Sequence, residues 1–555
     1  MLKNLFKKNK LLIKNLNLDI NSLIPYIVIF IFIPNIIYGF LRPLNPDIYN
    51  NLYFSSRLLE GELLWTKEFH DKFPFIQYFF LLPAYFKSVN IWKIQSFLFH
   101  TLASILFYKS AYIFLETYWK RVKKHSIEVV KYITIIYFIS PFYLMGFSHF
   151  SSTSVSLISI SISTLFIYLK NGKLNNIFKS WQSWIALITL SMAISIRPYF
   201  LPIAISIGLW VPIRTIYLKQ DRFKVKHTIN FFLIWNTLLF LITFILNFLP
   251  YLITNNISVI FDGIILNSQD INPQSILDII SQQSKIFYKY EINFLILILI
   301  TITIYLFFEV LQKGLTKIYL KNYLLSPDLF FIGFLFPLLL ETLILSKHYW
   351  NHYSLMFLPF VSFLALTIVS IFVEKILSNN NNNINFKNFV GIFLFTILFF
   401  QSFIISIKLI AYKSKSRFNN SDLNGFAHEL SEYSISKFNE LDFIDFTNQQ
   451  LHIKLNHGRK GFPHPPHIKH LQRNWYLNKN IYVPSKFKTS FPLNTDSLFK
   501  YLIKTKTRIV IVNKNSNLNK LIDNSKIYQQ NQILTKSLNN TFNKDAKVYE
   551  IFLMN

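Results

Sequence analysis

Apolar stretches of about 18 or more residues recur along the first three quarters of this 555-residue chain. Each is long enough to cross a hydrocarbon core of roughly 30 Å as a helix. Inside such a core every backbone N–H and C=O must be satisfied within the protein, and a helix does this within a single segment. The stretches lie at about 22–41, 91–115, 129–147, 152–169, 182–196, 199–213, 229–250, 292–311, 328–345, 351–373 and 388–410. About eleven spans make the expected fold mostly α, a polytopic membrane helical bundle. The first stretch is long and lacks a small-residue cleavage site, so it is expected to stay as a span.

The net charge of +30 would point to nucleic acid in a water-soluble protein, but here the basic residues sit in alternate loops. They occupy the N-terminus (Lys3, Lys7, Lys8, Lys10, Lys14), 116–131, 170–180, 214–227, 312–321 and 374–387. By the positive-inside rule these are cytoplasmic, which implies a multi-pass protein of the plasma (inner) membrane with no nucleic-acid partner. The opposite side then receives 42–90, the turns at His149 and Arg197, the loop 251–291, the turn at Lys347 and His348, and the tail. The chain divides into a membrane domain, 1–411, and an extracytoplasmic C-terminal domain, 412–555. The latter contains β-like runs at Thr507–Val512 and Lys547–Leu553 and is expected to be a small α/β unit. Asn379–Asn383 reads as a flexible loop. Cysteine is absent, which excludes disulfides and thiolate metal sites.

The first external loop is the most polar passage near the start of the chain. Asn45-Pro46 forms a helix start, with Asn as N-cap and Pro at the first helical position. Gly61 supplies the stop. The helix between them, about fifteen residues, is too short and polar to span and is expected to lie along the interface, with Tyr49, Tyr53 and Trp65 at headgroup depth. Asp47 falls in its first turn, on one face with Asn50 and Asn51, where an acid also complements the helix dipole.

The stretch NPDIYNNLYFSSRLLEGELLWTKEFHDKFPFIQYFFLLP, about forty residues, resembles the first periplasmic loop of the GT-C polytopic glycosyltransferases, which include protein mannosyltransferases and aminoarabinose transferases. The matching elements are Asp47, Arg57 to Gly61, Trp65, and His70-Asp71-Lys72-Phe73-Pro74. The resemblance implies that Asp47 is the catalytic base, taking the proton of an acceptor hydroxyl while a lipid phosphate leaves. It also places Arg57, His70 and Asp71 among the substrate-binding residues. Two positions depart from the family pattern. Ile48 stands where a second acid often follows the first, and the turn SHFSSTSV offers His149 where many members carry an acid. Metal dependence therefore stays open: a divalent metal is compatible with the family, but no ligand motif supports one.

Further candidates for substrate binding lie at predicted outer turns. Arg197 precedes Pro198 and could meet a lipid phosphate or snorkel to the surface. Lys347, His348, His352 and Tyr353 cluster around one turn, with an interfacial aromatic belt as the alternative reading. Glu341, inside the preceding span, needs a partner such as Lys347 or Arg197. His100, deep in the second span, reads as an interhelical hydrogen bond. In the tail, His457, His464, His467 and His470 are separated by prolines that prevent a regular metal-binding helix, and a loop over the acceptor is favoured. The loop 251–291, with Asp262 and Asp270, could act as a lid.

These features favour an inverting glycosyltransferase that moves a sugar from a polyprenyl-phosphate donor in the bilayer to a lipid, glycan or protein acceptor. A transporter or flippase of envelope lipid or glycan predicts repeated halves, which the sequence does not display. A polysaccharide polymerase or ligase using lipid-diphosphate donors is the nearer alternative.

Overall fold

The structure, a computed structural model, describes residues 46–66, 72–86, 88–118, 125–144, 149–170, 174–219, 225–268 and 355–379, five strands between 443 and 551, and a few isolated positions. Helix α1 is Pro46–Leu59, followed by two short helices, α2 (Phe75–Phe79) and α3 (Leu81–Tyr85). The bundle helices are α4 (Val89–Tyr118), α5 (His125–Leu144), α6 (Ser151–Leu169), α7 (Trp181–Ile196), α8 (Leu201–Lys219) and α9 (Val225–Ile253). A short helix α10 (Ile257–Ser268) follows α9, and α11 (Leu358–Asn379) lies later in the chain. Val89–Thr117, Ser151–Leu169, Pro198–Leu218 and Lys226–Ile253 are long and apolar enough to span a membrane. Shorter apolar helices cover 129–140, 181–196 and 355–367. The expected spans at 22–41, 292–311, 328–345 and 388–410 fall outside the described residues apart from isolated positions.

The core is organised around α6, a Ser-rich helix buried along almost its entire length. Its hydroxyls reach its neighbours at successive depths. Thr153 Oγ1 lies 2.8 Å from Ser96 Oγ of α4, Tyr137 of α5 donates to Ser159 Oγ at 2.6 Å, Ser110 of α4 donates to Ser163 Oγ at 3.1 Å, and Ser161 donates to the Ala186 carbonyl of α7 at 2.9 Å. Interhelical hydrogen bonds of this kind contribute about 0.6 kcal/mol each in a membrane bundle. Small side chains also let the helix axes approach closely. His100 fits the expected interhelical role: Nε2 donates to the Phe138 carbonyl at 2.9 Å, and Nδ1 lies 3.3 Å from Ser156 Oγ. By contrast α9 exposes Leu233, Phe240 and Leu241, with Phe240 72% accessible. A helix so apolar and so exposed is matched to lipid.

At the end of the bundle remote from the first loop, Arg214 of α8 and Asp328 form a fully buried ion pair, Nε to Oδ2 at 2.9 Å. Trp210 Nε1 donates to the other carboxylate oxygen at 2.8 Å, while Arg214 Nη1 points to the Leu169 carbonyl that ends α6. The pair thus joins α6, α8 and the segment at 328.

Of the tail, five strands are described: β1 (Phe443–Asp445), β2 (Arg459–Lys460), β3 (Ile509–Asn513), β4 (Gln530–Leu538) and β5 (Lys544–Ile551). They form one mixed sheet in the order β2-β1-β3-β5-β4, with β1 parallel to β2 and β3, and β5 antiparallel to β3 and β4. The two runs read as strands from their alternation are β3 and β5, paired from Ile509↔Glu550 to Asn513↔Ala546.

Removing one member of the buried pair strands a charge. Arg214→Ala or Asp328→Ala is expected to lower stability by about 3–5 kcal/mol, whereas Arg214→Met with Asp328→Leu recovers most of the loss. Thermal unfolding of the detergent-purified protein checks both.

Candidate functional site

Helix α1 runs from Pro46 to Leu59 over 14 residues, as its sequence signals require, and Gly61 adopts the left-handed conformation at φ +85°. Asp47 is the second residue of α1. The burial of Tyr53 (6% exposed) and Trp65 (0%) corrects the expected interfacial placement. These aromatics are inside the protein, because α1 packs on α2 and α3 and the chain after it folds back beneath α10. Asn51, four positions after Asp47, is also fully buried, as is Ile48 where a second acid was sought. Arg57 pairs with Glu60, just past the end of α1, at 2.6 Å and donates to Tyr53 Oη at 3.3 Å.

The turn after α1 is held tightly. Trp65 has φ +64°, a left-handed conformation that costs a bulky residue roughly 1–2 kcal/mol. Gln77 of α2 receives the Leu64 N–H on Oε1 at 2.7 Å and donates Nε2 to the Phe54 carbonyl of α1 at 2.7 Å. Tyr251 of α9 donates to the Leu64 carbonyl, also at 2.7 Å. Trp65 then packs against Gly263 of α10, where a Cβ would lie 2.2 Å from the indole ring. Beside Gln77, the Tyr78 hydroxyl is buried with no hydrogen-bond partner among the described residues, and that burial pushes it up to about 12 from an ordinary 10.0.

Two of the sequence-derived candidates come together on neighbouring helices. Helix α7 is capped by Ser180, which accepts from the Ser183 N–H at 3.3 Å, and ends where Pro198 forbids continuation. The residue before proline is forced out of the helical region, and Arg197 accordingly has φ −140° and ψ 95°. Its side chain turns to the start of α6, donating to Ser151 Oγ at 3.0 Å, with the guanidinium carbon 4.4 Å from the Phe150 ring centroid. Arg197 is only 6% exposed, which removes the snorkelling alternative. His149, completely buried, caps α6 with its ring: Nδ1 accepts the Ser151 N–H at 3.0 Å. A neutral imidazole has one acceptor nitrogen, so the ring proton belongs on Nε2. Nε2 lies 3.4 Å from Arg197 Nη2. Two N–H donors are therefore held side by side at a helix N-terminus, an arrangement suited to a shared anionic acceptor.

His70, Asp71, Glu341, Lys347, His348, His352 and Tyr353 lie outside the described residues, as do His457, His464, His467, His470 and Asp270. Among the described residues no group of three or more His, Asp or Glu could hold a metal ion. Gln77, Asn247 and Tyr251 were not singled out from sequence. Each stands alone in an apolar run, and its partners are distant in the chain.

No family model and no curated protein sequence matches this chain. Solved structures do match. ArnT from Cupriavidus metallidurans in the apo state has a TM-score of 0.57 at 10% identity, covering 95% of this chain and 98% of that one. The same protein bound to undecaprenyl phosphate has a TM-score of 0.53 at 9% identity, with the same coverage.

Adding a methyl at Gly263 forces Trp65 aside, so Gly263→Ala is expected to lower the unfolding temperature and Trp65→Leu to suppress that loss. The raised Tyr78 pKa favours the folded state fully below pH 10 and loses that contribution as pH climbs towards 12. Tyr78→Phe, which has no hydroxyl to ionise, should therefore lose less stability than the parent between pH 10 and 12, as compared by thermal melts across that range. Over nearly its whole length, the chain has a fold like that of ArnT.

Proposed function

We propose that this protein is an inverting membrane glycosyltransferase that takes a sugar from a polyprenyl-phosphate donor and passes it to a hydroxyl acceptor at the outer membrane surface. The observation that carries this reading is the meeting of Arg197 and His149 at the N-terminus of α6. It lies at the same end of the bundle as α1, which carries Asp47. The structural likeness to ArnT, solved with undecaprenyl phosphate, supports a phosphate-bearing polyprenyl donor.

In this reading Asp47 takes the acceptor proton as the acceptor oxygen attacks the anomeric carbon and the bond from that carbon to the phosphate oxygen breaks. The leaving group departs as a phosphate already ionised, so no acid is needed to protonate it. Arg197 and the Nε2–H of His149 offset its growing charge, and burial makes that interaction stronger than it would be in water. Arg57, His70, Asp71, Glu341, Lys347, His348, His352 and Tyr353 complete the proposed donor and acceptor contacts. A transporter would deliver the donor lipid unaltered, and a polymerase or ligase would require a lipid diphosphate.

Asp47→Asn is expected to cut transfer by about 10²–10⁴-fold at normal membrane levels, in keeping with loss of a general base. Arg197→Met is expected to raise the donor KM at least about tenfold, with Arg197→Lys in between, since lysine keeps the charge and loses the planar fork. Transfer of labelled sugar from mono- and diphosphate donors, followed by product analysis, measures each. Unchanged transfer in Asp47→Asn removes the base assignment. Movement of intact donor across proteoliposomes without a glycosylated product replaces the reading with transport.

A further inference from the structure

Asn247 of α9, 2% exposed, stands where three elements meet. Its Oδ1 accepts the Phe75 N–H at 3.1 Å, across 172 positions of sequence. Its Nδ2 donates to Ser195 Oγ of α7 at 2.8 Å and to the Thr243 carbonyl of its own helix at 2.8 Å. Phe75 opens α2, and the preceding Pro74 provides no side-chain cap. The amide of Asn247 therefore satisfies, from another helix, an N–H that α2 leaves open. Two residues along α2, Gln77 clamps the Phe54 carbonyl of α1 and the Leu64 N–H. On the other side, Ser195 is two residues before Arg197.

We infer that Asn247 is a positioning residue: it caps α2 while gripping Ser195, and so fixes the segment carrying Asp47 in register with Arg197. The role rests on the transferase reading above, in which these two groups act on the same bond. An amide suits the place because it offers an acceptor and a donor in one rigid plane. Leucine, of similar size, offers neither. Aspartate keeps the acceptor for Phe75 but has no donor for the Thr243 carbonyl or for Ser195, whose own hydroxyl proton goes to the Ser191 carbonyl.

Because the chain has no cysteine, spin labels can be placed in the full-length protein at Leu59→Cys on α1 and Leu201→Cys at the start of α8, both well exposed. Pulsed dipolar spectroscopy in nanodiscs should give one narrow distance distribution for the doubly labelled parent. Asn247→Leu should broaden or shift it. In parallel, Asn247→Leu should lower turnover at saturating donor by about 10–100-fold with donor KM within about threefold of the parent, as expected when reacting groups are displaced by about 1 Å. An unchanged distribution in Asn247→Leu overturns the proposal, as does a loss of activity carried by donor KM with turnover at the parent's level. If Asn247→Leu does not accumulate, Ser195→Ala removes one arm of the joint, and a parental distribution in that variant also overturns it. A parent that transfers no sugar refutes the transferase reading, and the distances then decide the joint by themselves.

Discussion

The structure depends on the burial of a polar helix. Helix α6 carries Ser or Thr at most turns, and α4, α5 and α7 satisfy it from three sides. In a medium without water an unmet hydroxyl is costly, so these bonds choose the register of α6 against each neighbour as well as adding to stability. That register puts Ser151 beneath Arg197, and it sets the far end of α6 against Arg214. Both buried arginines thus report the position of one helix, one at each end.

Proline and histidine convert that packing into a site. Pro198 ends α7 and holds Arg197 in an extended conformation, so the guanidinium leaves its own helix and meets the next. His149 spends its acceptor nitrogen on the first N–H of α6 and presents a donor in the direction of Arg197. A buried guanidinium needs compensation, and Phe150 supplies part of it with a cation–π contact of about 0.5–2 kcal/mol. The positive end of the helix dipole adds to the field of both groups.

Local signals made α1 legible from sequence: Pro46 at its start, Gly61 beyond its end, and Asp47 in the first turn. The rule that Lys and Arg gather in alternate loops puts the turns at His149 and Arg197 on one side, but their contact is legible only in the structure. The partners of Gln77, Asn247 and Tyr251 were not legible. Their hydrogen bonds join segments 13 to 187 positions apart, and an isolated amide or phenol in an apolar run has no local pattern that identifies its partner. Trp65 misled for a related reason. An aromatic next to a predicted interfacial helix reads as a membrane anchor, and only the Gly263 notch of α10, about 200 residues later, reveals that it is a core residue.

The polarity of the first loop has a physical rationale in these contacts. On the proposed function, a loop that holds a reacting acid cannot rely on apolar packing alone, because apolar contacts slide at little cost whereas hydrogen bonds fix direction. Here Gln77 ties the loop to itself, while Asn247 and Tyr251 tie it to α9, and each of these bonds is buried. The left-handed Trp65 then becomes tolerable: its backbone strain is small beside the three hydrogen bonds and the ring burial that require it. The same bonds that make the loop rigid are unavailable to a partly inserted or misfolded loop. The geometry of the proposed site and the correctly folded state are therefore specified together.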